Sequence, residues 1–149
     1  MARIELLVGT VYGNAQDTAE YLQELLQAAG HQVNLDTDPQ LEPLLTAPPD
    51  LLLVCTSTTG QGDLPDNIVP FFYQLKERFP LMPQQRFAVI GLGDASYDDT
   101  FGMGGKQFEE LLLELQAQPA VASLTLDAAS AEDPFEQTRR WSEQLLQAL

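Results

Sequence analysis

The stretch LVGTVYGNAQDTAEYL, Leu7–Leu22, decides how the whole chain is read. An apolar run that starts at Ile4 ends in Gly9, and from Ala15 the apolar residues Ala15, Ala19, Leu22, Leu26 and Ala29 fall on one helical face. The first pattern is a short buried strand and the second an amphipathic helix, which Gly30 stops. Between them stands a turn holding Thr10, Tyr12, Gly13 and Asn14. Amides at a helix N-terminus lack intrahelical partners and sit at the positive end of the helix dipole, so this turn suits an anion. Hydroxyls of Thr10 and Tyr12 and the Asn14 amide add donors, yet no Lys or Arg occurs between Arg3 and Lys76. A phosphate here would be held by neutral groups. The lysine that phosphoryl-transfer loops use against developing charge is absent, so the phosphate would be a handle and not a reactant. Taken alone, the same residues serve equally well as a plain helix cap.

Working outward, the strand-and-helix alternation repeats. Gln32 to Asp36 reads as a second, more polar strand, and prolines at 39, 43, 48 and 49 mark a loop with at most a short helix. Leu51 to Cys55 is a continuous apolar run, as expected of a parallel strand covered on both faces. A helix over Ile68 to Phe79 follows, then a strand over Phe87 to Ile90 and a helix with an apolar stripe of Phe108, Leu111, Leu112 and Leu115. Ala122 to Leu126 alternates as a last strand, and a closing helix from about Pro134 carries Trp141, Leu145 and Leu149 on one side. The fold class is therefore α/β: a doubly wound five-stranded parallel sheet with helices on both faces. The order 2-1-3-4-5 is expected, because it leaves the polar second strand at an edge. The 149 residues make one domain. Ligands of such sheets bind outside the carboxyl ends of the strands, where the chain reverses its winding between strands 1 and 3. Three polar loops leave that end.

The loop from Thr56 to Asn67 has Gly60 and Gly62 flanking Gln61, a spacing that permits a peptide to change orientation, and Pro65 fixes the approach to the next helix. The loop from Gly91 to Gly105 is glycine-rich and carries Tyr97 and Phe101. Its backbone could read the edge of a flat heterocycle while Tyr97 stacks on the face. Each is an ordinary turn by itself; the signal is their convergence.

Composition narrows the partners. The formal net charge is −15, from 22 acidic against 7 basic residues, which argues against nucleic acid and against an anionic membrane surface. A basic protein partner would be attracted. The single cysteine, Cys55, allows no internal disulfide and suits a reducing compartment. Glu5 interrupts the first apolar run, and no run approaches the roughly 20 residues that span a bilayer. A cytoplasmic, soluble, monomeric protein is expected. Cys55 is expected in the buried strand and His31 in an exposed turn, and no His/Cys set suggests a metal. A phosphatase loop would need Arg six residues after Cys55, where Gln61 stands. A phospho-receiver domain would need acidic residues after strands 1 and 3, where Gly9-Thr10 and Thr56-Ser57 stand.

GTVYGNA after strand 1, TSTTGQGDLPDN after strand 3 and GLGDASYDDTFGMGGKQF after strand 4 together resemble the flavodoxin family, over essentially the whole chain. The match is most similar to small short-chain bacterial members of the MioC type, and the later two loops also resemble FMN domains of diflavin reductases. The resemblance implies FMN and one-electron transfer between a reductase donor and an acceptor, both with basic surfaces. It implies that Thr10, Tyr12, Gly13, Asn14 and Ala15 cradle the phosphate. Thr58, Thr59, Gly60, Gln61 and Gly62 would flank the ring from one side, and Gly93, Asp94, Asp99, Phe101 and Gly102 from the other. Tyr97 would stack on the outer ring face. Gly60 stands where family members turn a peptide carbonyl toward the flavin. Two departures are visible: Thr59 replaces an aromatic common at the inner ring face, leaving that cover lost or supplied by Leu64, and Tyr12 and Ala15 replace hydroxyl residues of the phosphate loop. Asp63, Asp66, Asp94, Asp98 and Asp99 give the ring loops an acidic rim that would lower the potential of a reduced, anionic flavin. An FMN-dependent quinone or nitro reductase and a flavin-free interaction domain are the alternative readings.

Overall fold

A computed structural model describes residues 1–59, 62–94 and 102–149. The chain runs β1 (Arg3–Gly9), α1 (Asn14–Ala28), β2 (Gln32–Asp36), α2 (Leu41–Thr46), β3 (Leu51–Ser57), α3 (Val69–Arg78) and β4 (Arg86–Gly93). It continues with α4 (Met103–Glu114), β5 (Gln118–Pro119), β6 (Leu124–Asp127) and α5 (Pro134–Ala148). All pairings are parallel, in the order β2-β1-β3-β4-β5, with β6 also on β4. The order 2-1-3-4-5 is thus the one found, with β2 at an edge.

The last place in the sheet departs from expectation. In place of one strand over Ala122 to Leu126, two short strands share the edge of β4: β5 beside Arg86 and Phe87, and β6 beside Ile90 to Gly93. Ala120 still donates to the Phe87 carbonyl at 2.8 Å, but the chain then leaves the ladder before rejoining it. Trp141 holds this excursion from below, its Nε1–H donating to the Ala122 carbonyl at 2.8 Å. The alternating pattern of Ala122 to Leu126 cannot show where pairing lapses, because pairing depends on β4.

Strand periodicity divides the core into two layers. Ile4, Leu6, Val8, Leu53 and Cys55 face α1 and α5, where Ala19, Leu22, Leu26, Trp141 and Leu145 close over them. Leu7, Leu52, Val54, Phe87 and Val89 face the other way, against Phe71, Leu75, Phe108, Leu111 and Leu112 of α3 and α4. Ala29, expected on the buried face of α1, lies exposed just past the helix end. His31 is half-buried, not exposed: its Nδ1 accepts from the Ala2 N–H at 3.0 Å, pinning the start of β1.

The close approach of α4 to β4 rests on two glycines. A Cβ placed on Gly105 would stand 2.9 Å from the Gly91 Cα, so neither position leaves room for a side chain on the other's backbone. This contact brings the N-terminus of α4 down to the carboxyl ends of β3 and β4.

Candidate functional site

Two helix N-termini open at the carboxyl edge of the sheet on the α1/α5 face, and they are finished differently. Asp133 caps α5, its Oδ1 accepting the Phe135 N–H at 2.9 Å, and Pro134 follows with no N–H to satisfy. The N-cap of α1 is Gly13, at φ 92°, and no side chain caps the helix. That left-handed conformation favours glycine. The amides of the first turn of α1 are therefore the ones available to an anion.

The turn ahead of α1 is braced from within. Gly13 donates its N–H to Thr10 Oγ1 at 2.9 Å, leaving the hydroxyl proton of Thr10 free to be donated outward. Asn67, just ahead of α3, accepts the Thr10 N–H on Oδ1 at 2.9 Å. Its Nδ2 donates to the carbonyls of Val8 at 2.7 Å and Thr37 at 2.9 Å. One amide side chain thus ties the end of β1, the chain after β2 and the turn together. The sequence assigned Asn67 no role, since nothing in a linear pattern shows that α3 begins under β1. From beneath, Cys55 Sγ–H donates to the Ala15 carbonyl at 3.5 Å. Burial pushes this thiol up to about 12, so it remains protonated and takes no part as a nucleophile.

The loop after β3 is stitched to α4. Thr58 Oγ1 accepts the Gly104 N–H at 3.0 Å, and Gln107 Nε2 donates to the Gly62 carbonyl at 2.7 Å. Thr59 and Gly62 close a turn, with Thr59 N–H donating to Asp63 O and Gly62 N–H to Thr59 O, each at 2.9 Å.

Between these walls lies a cleft of about 790 Å³. Of the residues expected to hold a ligand, Tyr12, Asn14, Thr58, Thr59, Gly93 and Asp94 line it. Tyr12 is 92% exposed, so its ring projects from the turn into the open. Thr10, Gly13, Ala15, Gly62 and Gly102 do not line the cleft. Ala15 has its methyl fully buried in the core, and Gly102 is the N-cap of α4, backed by Thr125. These residues shape the walls and offer backbone groups. Gly60, Gln61, Tyr97, Asp99 and Phe101 lie outside the described residues, as does Asp98. Leu64 belongs to the core on the α3/α4 side and does not line the cleft.

The sequence missed a fourth wall. Asp127, Ala128, Ser130, Glu132 and Phe135, from the end of β6 to the start of α5, line the cleft opposite the turn. The available signal was topological: every strand of a parallel sheet delivers its following loop to the same end. Among the described lining residues are the carboxylates of Asp17, Asp94, Asp127 and Glu132, and no Lys or Arg. No group of His, Cys, Asp and Glu among the described residues could hold a metal ion, and no described helix is long and apolar enough to cross a membrane.

The cleft is lined by backbone and neutral side-chain donors on the turn side and by carboxylates elsewhere. The volume is within the roughly 300–1,000 Å³ of small-molecule sites, and the first-turn amides of α1 lie at its edge without a side-chain cap.

Comparisons with known proteins agree with this geometry. The family model described as "Flavodoxin" matches residues 6–141. Flavodoxin YqcA of Escherichia coli (strain K12) is 44% identical over 144 residues, covering 97% of this chain and 96% of that one. Protein MioC of the same strain is 34% identical over 141 residues, covering 95% and 94%. A solved flavodoxin from Pseudomonas aeruginosa, a mutant with serine in place of a cysteine, superposes with a TM-score of 0.90 at 39% identity, covering 99% of this chain and 98% of that one. With its sheet order, its three loops and these matches taken together, the chain belongs to the flavodoxin family of flavin-binding electron carriers.

Proposed function

We propose that this protein binds FMN and carries single electrons from a basic-surfaced reductase to a basic-surfaced acceptor. The observation that carries the reading is the N-terminus of α1, without a side-chain cap and opening on the cleft beside the ends of β3 and β4. Bound FMN supplies the one-electron chemistry; the protein supplies binding, orientation and electrostatics. The first-turn amides of α1, with the Asn14 amide, would hold the phosphate, on a turn that Thr10 braces through the Gly13 N–H. Thr58 and Thr59 would face the ring from one side and Gly93 and Asp94 from the other. The turn at Thr59 to Asp63 would hold backbone groups toward the ring edge, anchored by Gln107.

Charge supports the partner class. A chain of net charge −15 attracts basic partners and opposes association with its own copies, which favours a monomer. The unpaired thiol of Cys55 suits the cytoplasm.

The test is direct. The purified chain should be yellow, release FMN on heating, and take up electrons in two separate steps on stepwise reduction. A colourless chain that FMN does not bind would overturn the reading. Consumption of NADPH without an added reductase would make the protein an FMN-dependent enzyme instead.

A further inference from the structure

Glu132 stands in the wall of the cleft and also lines a smaller cavity of about 280 Å³ beside it. Its loop leads into α5, where Phe135 meets Tyr21 of α1 edge-on, with ring centroids 5.2 Å apart. This contact holds the start of α5 against α1, and the loop ahead of it lines the same cleft, across from the turn where the phosphate would be held. Asp17, in the first turn of α1, lines the same cleft. A second negative charge facing that position would work against any anion placed there.

Arg140 answers that charge. Its Nη2 donates to Glu132 Oε2 at 3.1 Å, and it lines only the smaller cavity. The guanidinium thus engages the carboxylate from outside the cleft and puts no cation into it. Arg139, its neighbour, is engaged with Glu136 and Glu143 and leaves Arg140 as the α5 cation on this loop. We propose that the Arg140–Glu132 pair strengthens the preference of the cleft for a flavin ending in a phosphate over one ending in a hydroxyl, with Arg140 a positioning and neutralising residue for Glu132. This rests on the FMN reading above. Neither residue belongs to the three loops that carry the family resemblance.

Side-chain exposures of 55% for Arg140 and 64% for Glu132 keep the effect modest. Exposed pairs of this kind shift equilibria by up to about fivefold, and less at high salt. The experiment is equilibrium dialysis of the full chain against FMN and, separately, riboflavin. Arg140→Gln should weaken FMN about threefold and leave riboflavin unchanged. Arg140→Lys should behave as the wild type, and Arg140→Gln with Glu132→Gln should recover wild-type FMN affinity. Equal weakening of both flavins, no change in either, or no recovery in the double variant would overturn the inference. A wild-type chain that binds neither flavin would overturn the proposed function as well, whereas one that binds both alike overturns this inference alone. A wild type that prefers FMN while Arg140→Gln matches it overturns this inference alone.

Discussion

Asn67→Ala tests the brace beneath the turn proposed to hold the phosphate. The amide of Asn67 makes three hydrogen bonds: to the Thr10 N–H, the Val8 carbonyl and the Thr37 carbonyl. The first two are partly buried and the third is exposed. Partly buried bonds contribute about 1 kcal/mol each and the exposed one about half that, so global stability should fall by about 2–3 kcal/mol. Only the Thr10 bond bears directly on the turn. Its loss, worth about 1 kcal/mol, should weaken FMN about fivefold. Riboflavin, which has no phosphate to be held, should be affected less. Asn67→Asp sharpens the test: it keeps the acceptor for Thr10 but turns a carboxylate toward two carbonyls, so it should unfold at least as readily as Asn67→Ala. Urea denaturation gives the first quantity and flavin titration the second. A loss below about 0.5 kcal/mol in Asn67→Ala, or a large loss with FMN affinity untouched, would show that the turn holds itself and that the brace is incidental.

Three further outcomes follow from the packing. Gly105→Ala should destabilise by about 1 kcal/mol or more in thermal melts: its Cβ would meet the Gly91 backbone at 2.9 Å, outweighing the roughly 1 kcal/mol that alanine contributes within a helix. A stabilised variant would refute the close α4–β4 approach. For Cys55, the buried thiol holds its proton in the folded state up to about 12, whereas the unfolded chain releases it near 9.0. The unfolded state thus binds fewer protons between those values, so this contribution is intact below pH 9 and falls by about 1.4 kcal/mol per pH unit above it. Denaturant melts from about pH 8 to about pH 10.5 should show a shallower decline in Cys55→Ala, and parallel curves would sink the argument. Trp141→Phe removes the indole N–H donated to the Ala122 carbonyl. Amide exchange should quicken in Leu124–Asp127 before it does in β3, and uniform protection across the sheet would count against this local anchor.

What the sequence determined by itself is the order of layers. Periodicity records burial, and burial in a parallel sheet is nearly complete, so the run Leu51 to Cys55 suited a strand covered on both faces, and it is one, between β1 and β4. The more polar β2 favoured an edge place, and with it the order 2-1-3-4-5 that the sheet has. The turn ahead of α1 was legible for the same local reason: Gly13 supplies a left-handed N-cap within the stretch that contains it. Contacts between distant segments left no such trace. The split of the last strand into β5 and β6 depends on where β4 offers partners, and the brace from Asn67 spans 57 residues to Thr10. The wall from Asp127 to Phe135 faces the turn because α5 packs against α1, a fact of tertiary packing. Local chemistry is written in neighbouring residues, whereas the pairing of a donor with a distant acceptor exists only once the layers have closed.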